Sequence, residues 1–159
     1  MSIDYIVSSL PALRFGEKAP ISWAKFESIV SEGRACHSVT AVLAPAAWTD
    51  LETQLRNAMA EARGGGEKYA RPATGCSVYW KTKVLACFQE KDALKRDEML
   101  DKVWWDAAGE LTPAASPLSA GALAAYAIRL KIALKREKIN AQAGNEAFDR
   151  LTAETKLSL

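Results

Sequence analysis

The stretch from Leu118 to Ile139 constrains this chain more than any other. Read as a helix, it sets Leu123, Tyr126, Ala127, Leu130, Ala133 and Leu134 on one side and Ile128, Ile132 and Ile139 roughly opposite. Arg129 and Arg136 line one edge of the isoleucine strip, and Lys131 and Lys135 the other. A helix that is apolar on two faces needs cover on both, so it belongs between two bodies. Two arrangements satisfy that need. In the first it is the central helix of a bundle, with its basic side chains reaching outward along their aliphatic stems. In the second the isoleucine strip is a docking face for an acidic helical partner, with Ile128, Arg129, Ile132, Lys135, Arg136 and Ile139 as contact residues. Burial of three isoleucines there contributes several kcal/mol at roughly 25 cal/mol per Å² of apolar area. On the docking reading Ile132→Asp weakens partner binding more than folding, while Leu130→Asp unfolds the domain.

The rest of the chain also favours helices. Its 159 residues suit one domain with a real core. Ala, Leu, Lys and Glu are prominent and β-branched runs are few, which predicts an all-α bundle of about five to seven helices with a long C-terminal helix. Trp23 to Glu32, with Ser22 as N-cap and Gly33 as stop, is one helix. Ala46 to Arg63 is the cleanest amphipathic helix, since Trp48, Leu51, Leu55, Ala58, Met59 and Ala62 share a stripe. Gly64 to Gly66 ends it, and residues through Gly75 read as a flexible link. Ser77 to Lys91 predicts a deeply buried helix, and Asp92 to Glu110 a further one with Leu100, Val103, Trp104, Ala107 and Leu111 inward. A proline-bounded break, Thr112 to Pro117, precedes the two-faced helix, and Asn140 to Thr152 is a shorter helix after it. Arg34 to Ala44 fits neither helix nor strand cleanly.

Five tryptophans supply much apolar area. Trp23, Trp48, Trp80 and Trp104 fall on inward stripes, whereas Trp105 lies off its stripe and is a candidate interface residue as much as a core one.

Signatures of chemistry are weak. The three cysteines, Cys36, Cys76 and Cys87, form no CxxC pair, which argues against a disulfide framework or a zinc site. His37 is the sole histidine and sits beside Cys36, where regular structure would point the two side chains apart. The triple glycine lacks the Lys-Ser/Thr that completes a phosphate-binding loop. Asp97, Glu98 and Asp101 share helical spacing and could meet a cation, but Lys95, Arg96 and Lys102 interleave with them as on a solvated face. No catalytic residue, metal site or cofactor is expected. A net charge of +2 does not demand a polyanionic partner. A nucleic-acid-binding or regulatory role would have to use the basic side chains of the two-faced helix, where the isoleucines occupy the middle of the surface. The start lacks a signal peptide pattern, and no apolar run approaches the roughly 18 residues of a membrane span, so a cytoplasmic location is expected.

Tyr5-Ile6-Val7-Ser8-Ser9-Leu10-Pro11-Ala12-Leu13 and Ala19-Pro20-Ile21-Ser22, with Ala125-Tyr126-Ala127-Ile128-Arg129-Leu130-Lys131 and Gly144, Phe148 and Leu151, together carry a resemblance. The chain resembles an uncharacterised bacterial family encoded beside subunits of bacterial V-type (A/V-type) ATP synthases, itself distantly like the helical C/d component of the central stalk in those rotary machines. The resemblance implies an all-helical, non-enzymatic accessory, assembly or stalk-like component. Its partners would be V-type ATPase subunits, met at the cytoplasmic side of the membrane.

Overall fold

The computed structural model describes residues 2–32, 45–139 and 141–157. Among these residues the fold is all-α. The helices are α1 (Ile3–Ser9), α2 (Trp23–Glu32), α3 (Ala46–Ala62), the single turn α4 (Gly66–Tyr69), α5 (Val78–Cys87), α6 (Ala93–Ala108), α7 (Ala120–Lys138) and α8 (Ala141–Leu157). A 3-10 turn, Gly109–Leu111, follows α6. Setting aside the single turn, seven described α-helices remain, within the expected range. The final helix is longer than expected, 17 residues against 19 for α7. Arg34 to Ala44, with Cys36 and His37, lies outside the described residues, as does Gly33.

Local chemistry starts these helices where the sequence marks them. The Ser22 hydroxyl accepts from the Lys25 amide at 3.2 Å, and the Ser77 hydroxyl from the Trp80 amide at 3.3 Å. Asp92 accepts from the Leu94 and Lys95 amides at 2.9 and 3.1 Å. Those amides of Lys95 and Leu94 hold its carboxyl below the ordinary aspartate range. Ser119 caps α7 by accepting from the Ala122 amide at 3.4 Å. Each satisfies amides that a first helical turn leaves without an internal partner.

The core is two clusters with α7 between them. On one side Leu123, Ala124, Ala127 and Leu130 pack with Ile6 of α1 and Phe26 and Val30 of α2. On the other, Ile128, Ile132 and Ala133 pack with Trp48, Leu51 and Leu55 of α3, Trp80 and Val84 of α5, and Leu100, Val103 and Trp105 of α6. The predicted separation of the two faces holds for the buried residues, except that Ala133 belongs with the isoleucines, while Ile139 lies in neither cluster. Both bodies belong to this same chain.

A strap formed by residues 10–22 closes the junction of α6 and α7. Phe15 meets the Trp105 ring edge-on, with centroids 5.4 Å apart at 75°. The Arg136 and Lys102 cations lie 5.2 and 5.6 Å from the Phe15 ring centre. At the end of the strap, the Ala19 amide donates to Glu137 at 2.5 Å. This cover explains why Trp105 is only 7% exposed although it lies off the apolar stripe of its own helix. Trp104, expected inward, is half-buried at the margin of the same cluster.

The segment read as a flexible link is tied down along its length. Asp50, Gln54, Asn57 and Glu61 recur along one polar stripe of α3, at helical spacing. Asp50 accepts from the Thr74 amide at 2.5 Å and its hydroxyl at 2.6 Å. Gln54 accepts from the Ser77 amide at 2.7 Å. Asn57 takes both backbone groups of Arg71, accepting from the amide and donating to the carbonyl at 2.8 Å each. Glu61 pairs with Lys81 on α5 at 2.8 Å. The stripe aligns the return of the chain toward α5.

Candidate functional site

The residues expected to form a docking face are mostly engaged within the chain. Ile128 and Ile132 are 7% and 8% exposed, covered by α3, α5 and α6. Of the isoleucine strip only Ile139, at 39%, reaches the surface. Trp105 is interior. The docking reading of this strip is therefore corrected. Ridges of α7 facing a second apolar body find it within the chain, which is the central-helix arrangement.

The basic margins follow the same pattern. Arg129 donates its Nε–H to the Trp105 carbonyl at 2.9 Å and places its guanidinium 5.5 Å from the Trp105 ring centre. Burial pulls the Arg129 guanidinium below its ordinary range. Lys135 bonds Asp101 at 2.8 Å and reaches Asp97 at 3.3 Å. Burial pulls the Lys135 ammonium down, but the hydrogen bond and charge of Asp101, with Asp97 beyond, outweigh it and hold the group above its ordinary value. Arg136 pairs with Glu98 and Asp101, each at 3.4 Å. Lys131 sits 4.9 Å from the Trp23 ring centre. The cation that Asp97, Glu98 and Asp101 meet is thus the protein's own. Asp101, a carboxylate only 8% exposed, bridges both cations and fastens α6 to α7.

With these charges spent on the fold, the apolar surface of the molecule lies elsewhere. Val78 and Tyr79 on α5 are 72% and 60% exposed, and Leu94 and Met99 on α6 are 48% and 41% exposed. Tyr79 and Met99 line a groove of about 640 Å³ floored by Phe15, Trp80, Cys87 and Val103. Lys83, Lys95 and Lys102 stand on its rim with Glu90, Glu98 and Asp106. The reading of α5 as deeply buried is corrected by the same residues. Val78, Tyr79 and Trp80 are consecutive, so a helix cannot turn all three inward; Trp80 is taken by the core, its indole N–H donating to Glu110 at 2.6 Å. That run was the available sequence signal for an exposed face.

A second exposed element is α8, whose residues from Gly144 to Arg150 are exposed, Phe148 at 65%. Cys87 is buried, which pushes its thiol up, while Cys76 is exposed. Among the described residues no group of three or more His, Cys, Asp or Glu side chains is arranged to hold a metal ion. No described helix is long and apolar enough to cross a membrane.

No family model matches this chain, and neither a curated protein nor a solved structure matches it.

Proposed function

We propose that this chain is a non-enzymatic helical accessory, assembly or stalk-like component that associates with a bacterial V-type rotary ATP synthase through helix-to-helix contacts. The observation that carries the contact role is the exposed apolar edge of α5 and α6, where Tyr79 and Met99 line a groove with an aromatic floor, with Val78 and Leu94 also exposed on the same two helices. Clustered exposed side chains of this size mark interaction surfaces more often than scattered single ones do. An amphipathic helix laid in such a groove gains burial along the floor and charge pairing at the mixed rim. The rotary ATPase as partner is supported by the resemblance carried at the two ends of the chain.

A tagged full-length chain recovered from native membranes, under conditions that keep the rotary complex intact, tests both parts. ATPase subunits are expected with the native chain and lost with the Tyr79→Asp, Met99→Asp double variant. Both substituted residues are exposed, so circular dichroism should show an unchanged fold. Absence of ATPase subunits from the native pulldown overturns the partner. Recovery undiminished by the double variant overturns the α5–α6 edge as the contact surface.

A further inference from the structure

A second basic surface lies away from α7, at the far end of α3. Arg56, Arg63 and Arg71 line a pocket of about 400 Å³ together with Asn57 and Tyr69, and no carboxylate of the described residues is in its wall. Parts of this wall are held by specific contacts. Glu52 grips Arg56 through two hydrogen bonds of 3.1 and 2.7 Å, from Nε and Nη2 to one carboxylate oxygen, and among the described residues nothing takes Nη1. Arg63 lies 5.8 Å from the Phe88 ring centre, and Arg71 is fixed at its backbone by Asn57. No carboxylate pairs with Arg63 or Arg71 among the described residues.

The last carbonyls of α3 do not consume these guanidiniums. Those of Met59, Ala60 and Glu61 accept from the amides of Arg63, Gly65 and Gly64 at 3.2, 2.9 and 2.9 Å. Among the described residues no acceptor takes the Arg63 or Arg71 guanidinium. Beside them the Tyr69 ring is 62% exposed and rests directly on Gly65, where an added Cβ would come within 2.6 Å of it. Lys68 lies 5.3 Å from the same ring centre. Planar guanidiniums match phosphate oxygens two at a time, and a fixed aromatic face accepts a flat ring.

We propose that this pocket binds a nucleotide unit, its phosphate on Arg63 and Arg71 and its base against Tyr69. The site is separate from the α5–α6 edge and does not depend on the association with a rotary ATPase. The unit could be a free nucleotide or one residue of a single strand, since both present the same phosphate beside the same ring.

Binding of adenosine 5′-monophosphate, a labelled ten-residue oligothymidylate and inorganic phosphate to the full-length chain tests this at low salt. Either nucleotide ligand is expected to bind, with Arg63→Gln and Arg71→Gln each weakening binding about tenfold. Tyr69→Leu should weaken the nucleotide about tenfold, in the range of one base-stacking contact, and leave inorganic phosphate unchanged. Saturable binding of the monophosphate assigns a free nucleotide, and binding of the oligothymidylate alone assigns a strand; both support the site. Because Arg71 is anchored through its backbone, Arg71→Lys, which keeps the charge, should retain more affinity than Arg71→Gln. Failure of both nucleotide ligands to bind at millimolar concentration overturns the proposal. So does binding that Arg63→Gln and Arg71→Gln leave untouched, or inorganic phosphate binding as tightly as the monophosphate.

Discussion

Arg129 and Trp105, each a candidate for meeting a partner, are bound to one another: the guanidinium donates to the Trp105 carbonyl at 2.9 Å and lies over its ring. Arg129→Met keeps the aliphatic stem but removes the donor and the cation. A loss of about 1–2 kcal/mol in urea unfolding is expected, from one charge-assisted hydrogen bond and one cation–π contact. Arg129→Lys should recover only part of it, because an ammonium cannot keep the planar stacking and the Nε geometry together.

Leu130 and Ile132 lie on opposite faces of α7, in different clusters. Leu130→Ala and Ile132→Ala should each cost about 2–5 kcal/mol, and Leu130→Asp and Ile132→Asp should both abolish cooperative folding. Denaturant curves for the four variants decide this. A native-like stability for Ile132→Ala would return that face to the surface and undo the two-cluster description.

Two helical glycines should respond in opposite directions to alanine. At Gly121 the added Cβ would lie 1.8 Å from the Leu111 carbonyl oxygen, so the start of α7 must move off the 3-10 turn. Gly121→Ala is expected to cost about 1–3 kcal/mol or more. At Gly144 nothing lies within 4 Å. Gly144→Ala should favour the helical state of α8 by roughly 0.5–1 kcal/mol, read as greater far-UV ellipticity.

The Tyr126 hydroxyl is buried with no hydrogen-bond partner among the described residues. Burial holds the phenol above its ordinary range. Tyr126→Phe removes the unpaired oxygen and keeps the ring stacked on Phe26, whose centroid is 5.9 Å away. A gain of about 1 kcal/mol is expected, near 2–4 °C in Tm. A lower Tm would show that the hydroxyl has a partner worth keeping.

Asp50 gives the acid limb of stability a specific source. The Thr74 hydroxyl and amide, with Gln54, hold its carboxyl below the ordinary aspartate range. A carboxyl lowered in the folded state contributes stability that is present above its unfolded value, about 4, and is lost as pH falls through the folded one. Asp50→Asn should therefore flatten the loss of stability between about pH 5 and pH 3, measured as urea midpoints. An unchanged slope would remove Asp50 from the acid response.

Much of the helical order was legible because its causes are local. Ser22, Ser77, Asp92 and Ser119 announce helix starts through hydrogen bonds that reach only two or three residues. The two faces of α7 follow from periodicity alone. Less legible was the exposed edge of α5, where three consecutive apolar side chains compete and only packing assigns Trp80 to the interior. The polar stripe Asp50, Gln54 and Asn57 was visible as a spacing, yet nothing local says that it receives the chain some distance onward.

By itself the sequence determined where α2, α3, α5, α6 and α7 begin, to within a residue or two, and that α7 needs cover on two sides, since capping, periodicity and the cost of exposed apolar area act within a few turns. Only the tertiary structure decided what provides that cover. Helices α3, α5 and α6 take the isoleucine face, Phe15 closes over Trp105, and Asp101 draws in Lys135 and Arg136. These partners are far apart along the chain, and side-chain spacing within one helix carries no record of which distant surface will meet it. The same folding that engages Arg129, Lys135 and Arg136 of α7 leaves Arg63 and Arg71 without a carboxylate among the described residues, beside the exposed ring of Tyr69.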